Sequence, residues 1–257
     1  MEFSLFDYAL LAIAGVLAGW VNVLAGGGSL FTVPAMVFLG LPGPVANGTN
    51  RIAIIAQNIV SVGAFRAQGF ADFRLSATLA LCAAVGAYFG AQIGVGLDGV
   101  WFNRTLAVVI VLVMVAMAGE GREPSKPKAD SDHSSIGKPR NVVLGHVLMA
   151  GAGVWGGFIQ VGSGFLMMPI LYRVMGLDLV RVNMHKVFIA LVYSIVALGV
   201  FATQVPIDWR AGAALALGNA IGGGLGATST VKKGAPLVKR VLFLALAAMV
   251  VKLVFFP

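Results

Sequence analysis

The sequence predicts an all-α polytopic membrane protein made of two inverted repeats, each with about five hydrophobic segments. Composition is the first reason: 59% of the 257 residues are hydrophobic and 11% are charged. The mean hydropathy of +0.93 lies outside the range of soluble globular domains. The second reason is an internal duplication, and the third is the distribution of basic residues between the apolar segments.

The duplication relates residues about 136 positions apart. Residues 47–90 are echoed by residues 183–226, with five identical Asn, Gln or Gly pairs. Upstream the register slips by one, and the glycine-rich segment 26–34 matches 161–169. Internal duplication of a hydrophobic chain is typical of transporters built from two structural repeats.

Each half contains five apolar segments. They lie at 5–24, 28–40, 45–65, 75–96 and 100–118, and at 141–160, 163–176, 183–203, 210–231 and 236–256. A membrane-spanning helix needs roughly 20 apolar residues, so the second segment of each set is too short to cross comfortably. It is predicted to form one arm of a broken or re-entrant hairpin that follows a glycine-rich turn. The first repeat is placed at 1–118, a solvated Pro-rich and charged linker at 119–140, and the second repeat at 141–257.

Basic residues predict the orientation of these segments. With five segments per half, thirteen Lys and Arg residues share the side of the linker and three lie on the other side. Four segments per half give a nearly even split. Because basic residues accumulate in cytoplasmic loops, we expect a cytoplasmic linker and a periplasmic N-terminus. An odd number of segments then inverts the second repeat relative to the first. Topology also explains the net charge of +8 better than nucleic-acid binding does.

Two basic residues, Arg51 and Lys186, fall inside predicted spans, whereas no carboxylate does. A charge inside the membrane usually has a partner, and an anionic ligand is the natural one where no buried acid is present. The same lack of acids argues against a cation site, a carboxylate proton relay and paired-carboxylate catalysis. The alternative for Arg51 is that its long side chain snorkels to the headgroups.

Polar side chains surround both charges. They are Asn47, Thr49 and Asn50 beside Arg51, and Asn183 and His185 beside Lys186. Such residues can simply cap a helix start, but the pattern recurs beside a basic residue in both halves. Of the three histidines, His185 is the one placed to titrate during transport, with a purely hydrogen-bonding role as the alternative.

Glycine-rich turns lead into the two short segments. The candidate binding residues there are Gly27, Gly28 and Ser29 in the first turn, and Gly162, Ser163 and Gly164 in the second. Backbone N–H groups at a helix start carry the positive end of the dipole and bind oxyanions without a side chain. Two rows of glycines at four-residue spacing are assigned to helix packing instead: Gly86, Gly90 and Gly94, and Gly218, Gly222 and Gly226.

These motifs resemble those of the TauE/SafE sulfite exporter family. The shared features are the glycine-rich turn with Val33 and Pro34, the run from Ala46 to Asn50, and their echoes at 162–169 and 183–186. The resemblance covers nearly the whole chain except the linker. It implies export of sulfite, sulfoacetate or a related organosulfonate across the bacterial inner membrane. The chain departs from the pattern at its second turn, Val-Gly-Ser-Gly, and at Asn-Met-His-Lys, where a threonine is often found.

The predicted function is therefore a secondary transporter that exports a small sulfur-containing anion by alternating access, with no cofactor, no metal and no enzymatic activity. The site is expected near the midplane, between the two glycine-rich turns. An anion channel, or a transporter of sulfate, thiosulfate or a carboxylate, is the alternative. Expected partners are the small anion and the lipid bilayer, with no nucleic acid. A homodimer through the glycine-lined faces is one option, and internal packing of those faces is the other.

Overall fold

The computed structural model describes residues 3–70, 72–97, 99–119 and 139–232. Within these ranges the chain is helical, without strands, as predicted. The helices are α1 (Leu5–Ala25), α2 (Ser29–Phe38), α3 (Gly43–Ala67), α4 (Phe73–Val95), α5 (Gly99–Gly119), α6 (Val142–Phe158), α7 (Ser163–Pro169, continuing as a π-helix over Ile170–Val174), α8 (Leu179–Gln204) and α9 (Trp209–Lys232). Most of the predicted linker and the last predicted segment, 236–256, lie outside the described residues.

Three of the described helices, α1, α4 and α8, are both long enough and apolar enough to cross a membrane. Helix α2 has 10 residues, which correspond to about 15 Å, so it cannot span a bilayer by itself. In the second half, α7 and its π-helical continuation run from Ser163 to Val174 and are also too short to span a bilayer.

Both short segments fold back along the helix that precedes them. Helix α1 ends at Gly26, which has a left-handed φ of 75°. The chain then reverses direction, and Gly28 lies against α1. A methyl at Gly28 would collide with the carbonyl oxygen of Ala18, which lies about two turns before the end of α1. In the second half the return arm ends beside the start of α6, where the Arg140 N–H donates to the Met175 carbonyl at 2.9 Å.

The two glycine rows are the close-contact surfaces of helix pairs. On α4, Gly86 and Gly90 face the Ala150 and Val154 carbonyls of α6, while on α9 Gly222 faces the Val16 carbonyl of α1. A methyl at any of these positions would overlap the backbone of the partner helix. The assignment of these glycines to helix packing is confirmed.

Aspartates mark the starts of two long helices. Asp72 is the N-cap of α4, and Asp208 Oδ1 accepts the Ala211 N–H at the start of α9 at 2.9 Å. Asp72 also pairs with Arg181 of α8 at 3.1 Å.

Candidate functional site

The two glycine-rich turns meet in the interior. A methyl at Gly26 would come within 2.6 Å of the Gly164 Cα, and a methyl at Gly164 would overlap Gly26 in return. Both turns are buried, and each leads into the first turn of a short helix, α2 or α7. The positive ends of two helix dipoles therefore meet at this junction. Several first-turn N–H groups are already bonded there, since Leu30 donates to the Gly27 carbonyl at 3.1 Å and Phe165 to the Gly162 carbonyl at 3.0 Å.

A small polar cavity lies against the junction. It is lined by Asn22, Gly26, Ser29, Ile54, Gln57, Asn58, Gln160, Ser163, Gly164, Met167, Lys186, Val187, Ala190 and Tyr193. None of these lining residues is acidic. The cavity volume of about 10 Å³ accommodates one water molecule. A sulfur oxyanion is larger, so in this conformation the cavity is closed too tightly to hold one.

Lys186 brings a buried positive charge to this cavity. Its side chain is on α8 and only 3% of the residue is exposed. Its Nζ donates to the Asn22 carbonyl at 3.2 Å, the Val23 carbonyl at 2.7 Å and Asn183 Oδ1 at 2.7 Å. The two carbonyls belong to the last turn of α1, which carries the negative end of the helix dipole. The Asn22 carbonyl also accepts the Gly26 N–H at 2.8 Å.

Arg51 occupies the corresponding place in the other half, at the end of α6. The residue is fully buried, and its guanidinium donates to the Gly156 carbonyl at 3.1 Å and to the Gly157 carbonyl. Beside it, Asn47 Nδ2 donates to the Phe158 carbonyl at 2.8 Å. The snorkelling interpretation of Arg51 is therefore wrong, because its head group is bound to a helix end in the interior. Arg51 and Asn47 are not among the residues that line the cavity.

Asn50 and Thr49 tie helices together. Thr32 donates to Asn50 Oδ1 at 2.6 Å, Asn50 Nδ2 to Gln160 Oε1 at 3.2 Å, and Gln160 Nε2 to Ser194 Oγ at 3.2 Å. These three hydrogen bonds connect α2, α3, the turn before α7, and α8. Separately, Thr49 Oγ1 accepts the N–H of Asp208 at 3.1 Å.

His185 lies away from the cavity, against α4. Its Nδ1 is 2.8 Å from Ser76 Oγ, and its Nε2 has no partner within the described part of the chain. The polar residues near Arg51 and Lys186 do not cap their own helices, since α3 begins at Gly43 and the N-cap of α8 is Asp178. The capping interpretation of these residues is wrong.

Several residues of the site were not predicted from the sequence. Asn22 donates to Gln57 Oε1 at 3.1 Å, and Gln57 Nε2 donates to Asn58 Oδ1 at 3.3 Å. Tyr193 Oη lies 2.7 Å from Ser163 Oγ. The duplication contained a signal for them, because Gln57 and Asn58 are the 136-residue counterparts of Tyr193 and Ser194. Asn22 and Gln160 carried no such signal.

Gln160 has a backbone conformation that is unusual for its residue type. Its φ is 60°, and it is 99% buried in the turn between α6 and α7. Non-glycine residues in the left-handed region cost free energy and persist where the surroundings enforce them. Here the enforcing contacts are the side-chain hydrogen bonds to Asn50 and Ser194.

Comparison with known proteins identifies the family of this chain. The family model described as "Sulfite exporter TauE/SafE" matches residues 11–253. The chain belongs to the TauE/SafE family. Family membership and the apolar helices make it a transmembrane transporter, as predicted.

Curated relatives match this chain over most of their length. Probable membrane transporter protein ORF9 of Sinorhizobium sp. is 24% identical over 249 residues, covering 97% of this chain and 93% of the relative. A probable membrane transporter protein of Haemophilus influenzae is 22% identical over 99% of this chain and 97% of its own. Probable membrane transporter protein YfcA of Escherichia coli K12 is 22% identical over 96% of this chain and 89% of the relative. No solved structure matches.

Proposed function

We propose that the protein exports a small sulfur-containing anion, such as sulfite, sulfoacetate or a related organosulfonate, across the bacterial inner membrane by alternating access. The observation that carries the proposal is a buried ammonium, that of Lys186, in a cavity without acidic lining residues at the junction of two helix starts. The family description supports sulfite as the substrate class.

The chemistry of the cavity suits an oxyanion. Two unit charges 4 Å apart attract by about 4 kcal/mol at an effective dielectric constant of 20, which is enough to decide the sign of the ligand. Asn58 Nδ2 is buried and has no partner among the described residues, so it is a donor available to a ligand. Ser29, Ser163 and Tyr193 add hydroxyl groups. The starts of α2 and α7 add the positive ends of their helix dipoles.

Residues outside the cavity support the site indirectly. Arg51 and Asn47 hold the end of α6. Asn50 positions Gln160, and Asn183 accepts a hydrogen bond from Lys186. In this proposal the charge of Lys186 attracts the anion into the cavity, while its ammonium stays bound to the Asn22, Val23 and Asn183 oxygens.

The packing pattern supports an inverted pair of repeats. Helix α1 packs on α9 as its counterpart α6 packs on α4, and α3 packs on α9 as α8 packs on α4. Each half therefore places its first helix against the fourth helix of the other half, which is the exchange expected of two repeats related by a pseudo-twofold axis. The odd number of segments per half puts that axis in the membrane plane. The linker is then cytoplasmic and the N-terminus periplasmic.

The closed cavity favours a carrier over a channel. A site with room for one water must widen before an oxyanion enters. Rocking of the two halves about the contact between Gly26 and Gly164 would open it to one side at a time.

The proposal is tested by a thermal-shift screen with sulfite, sulfate, thiosulfate, sulfonates and carboxylates on purified full-length protein. An anion that binds the native state raises the melting temperature by an amount set by its occupancy. In Lys186→Met we expect the shift induced by the best sulfur anion to vanish, corresponding to at least a tenfold loss of affinity. Arg74→Met removes an exposed charge outside the cavity and should keep the full shift. An equal shift in the wild type and Lys186→Met would contradict the proposal.

A further inference from the structure

Protein cations fill the C-terminal ends of both helices that lead into the glycine-rich turns. Lys186 of the second half binds the last-turn carbonyls of α1 in the first half. Arg51 of the first half binds the last-turn carbonyls of α6 in the second half. Each cation reaches across to the opposite repeat, so the arrangement occurs twice in the molecule.

The oxygens around Lys186 resemble a site for a small cation. Two backbone carbonyls and one amide oxygen, from Asn22, Val23 and Asn183, lie 2.7 to 3.2 Å from Nζ. An ammonium group has three donors, and here all three are used. Transporters with broken helices commonly coordinate a coupling cation with half-helix C-termini and unwound carbonyls. In this protein the ammonium group of Lys186 occupies the position that a coupling cation would take.

We infer that Lys186 and Arg51 are resident cations that permanently occupy the two positions where such a transporter would hold a coupling metal ion, so that no sodium or potassium ion moves with the anion. Because the resident charges stay with the protein, each anion carries its own charge across the membrane, and an inside-negative potential drives it outwards. This last consequence rests on the proposed anion export, whereas the cation positions do not.

The cation positions are tested without any substrate anion. In Lys186→Ala the three oxygens lose their ammonium, and n-propylammonium chloride restores a group of the missing size and charge. We expect it to raise the melting temperature of Lys186→Ala by about 3 °C at saturation, relative to choline chloride at equal ionic strength. The matched variant is Arg51→Ala, which should respond to ethylguanidinium and not to propylammonium. The wild type should respond to neither.

Equal responses of both variants to both cations, or no response from a folded variant, would overturn the inference. If the two variants do not fold, the wild type decides the question in proteoliposomes at a fixed membrane potential. Anion flux, measured with whichever anion is bound in the thermal-shift screen, should be unchanged when choline replaces sodium and potassium. A flux that falls at least tenfold on that replacement would overturn the inference while leaving anion export intact. Lack of binding by every sulfur anion would instead count against the proposed function alone.

Discussion

At the residue scale, the two buried cations differ in what they can reach. Lys186 lines the cavity, whereas Arg51 is held at the end of α6 and does not. The sequence could place both charges inside the membrane, because they interrupt apolar segments. It could not reveal their partners, because the carbonyls they bind lie more than 100 residues away in the other half. A direct contact between Arg51 and the anion stays a prediction.

Asn58 offers a sharper test of the cavity than either charge, because it is neutral. Its Nδ2 is buried beside Lys186 and has no partner in the described part of the molecule. We expect Asn58→Ala to weaken binding of the sulfur anion by about 1 kcal/mol, which is roughly fivefold, since one hydrogen bond is lost. The measurement is the anion dependence of the melting temperature.

Asn219→Ala is the matched control for Asn58→Ala. Asn219 is fully buried on α9, and both its amide atoms lack partners among the described residues, but it does not line the cavity. Its loss should leave the anion affinity unchanged. If the two variants weakened binding equally, the cavity would not be the binding site.

At the scale of elements, the junction of the two glycine-rich turns is a close contact between two backbones. The turns were predictable from their glycines and from the short apolar segments that follow. Their contact was not predictable, because it depends on how the two halves pack. The helix boundaries agree with the predicted segments to within a few residues in most cases, since long apolar runs and Gly or Pro punctuation are local signals.

Gly164→Ala should destabilise the protein strongly. The added methyl would overlap the Gly26 backbone, which cannot move without shifting the opposite turn. Overpacking of this kind costs about 1–3 kcal/mol or more, and the melting temperature should fall accordingly.

Gly151→Ala is the opposite case and serves as the control. Gly151 is exposed inside α6, with no atom within 4 Å of the added methyl. Replacing a glycine in a helix interior by alanine should stabilise the fold by about 0.5–1 kcal/mol. If Gly164→Ala lowered the melting temperature by less than Gly151→Ala raised it, the two turns would not meet as described.

At the scale of the whole molecule, the two halves exchange partners. Helices α1 and α6 each pack mainly on a helix of the other half, and each has its C-terminus bound by a cation of the other half. The duplication predicted two related halves, but it contained no information on this exchange. A homodimer stays a prediction.

Gln68 and Gln204 test the inverted topology because they are equivalent residues of the two repeats. They lie at the ends of α3 and α8, and inversion puts them on opposite sides of the membrane. In a background with Cys82→Ala, which removes the single native cysteine, we expect Gln204→Cys to react with a membrane-impermeant maleimide in intact cells. Gln68→Cys should react only after the membrane is opened. Labelling of both from the same side would contradict the inversion.

Counterflow in proteoliposomes tests the central claim, carrier-mediated transport of a sulfur anion through the Lys186 site, most directly. Liposomes loaded with unlabelled sulfite or sulfoacetate should accumulate the labelled anion transiently, with a rate that saturates as its concentration rises. Lys186→Met should lose this uptake and Arg74→Met should keep it. Uptake that does not saturate and shows no counterflow would indicate a channel, and equal uptake by Lys186→Met and the wild type would contradict the site.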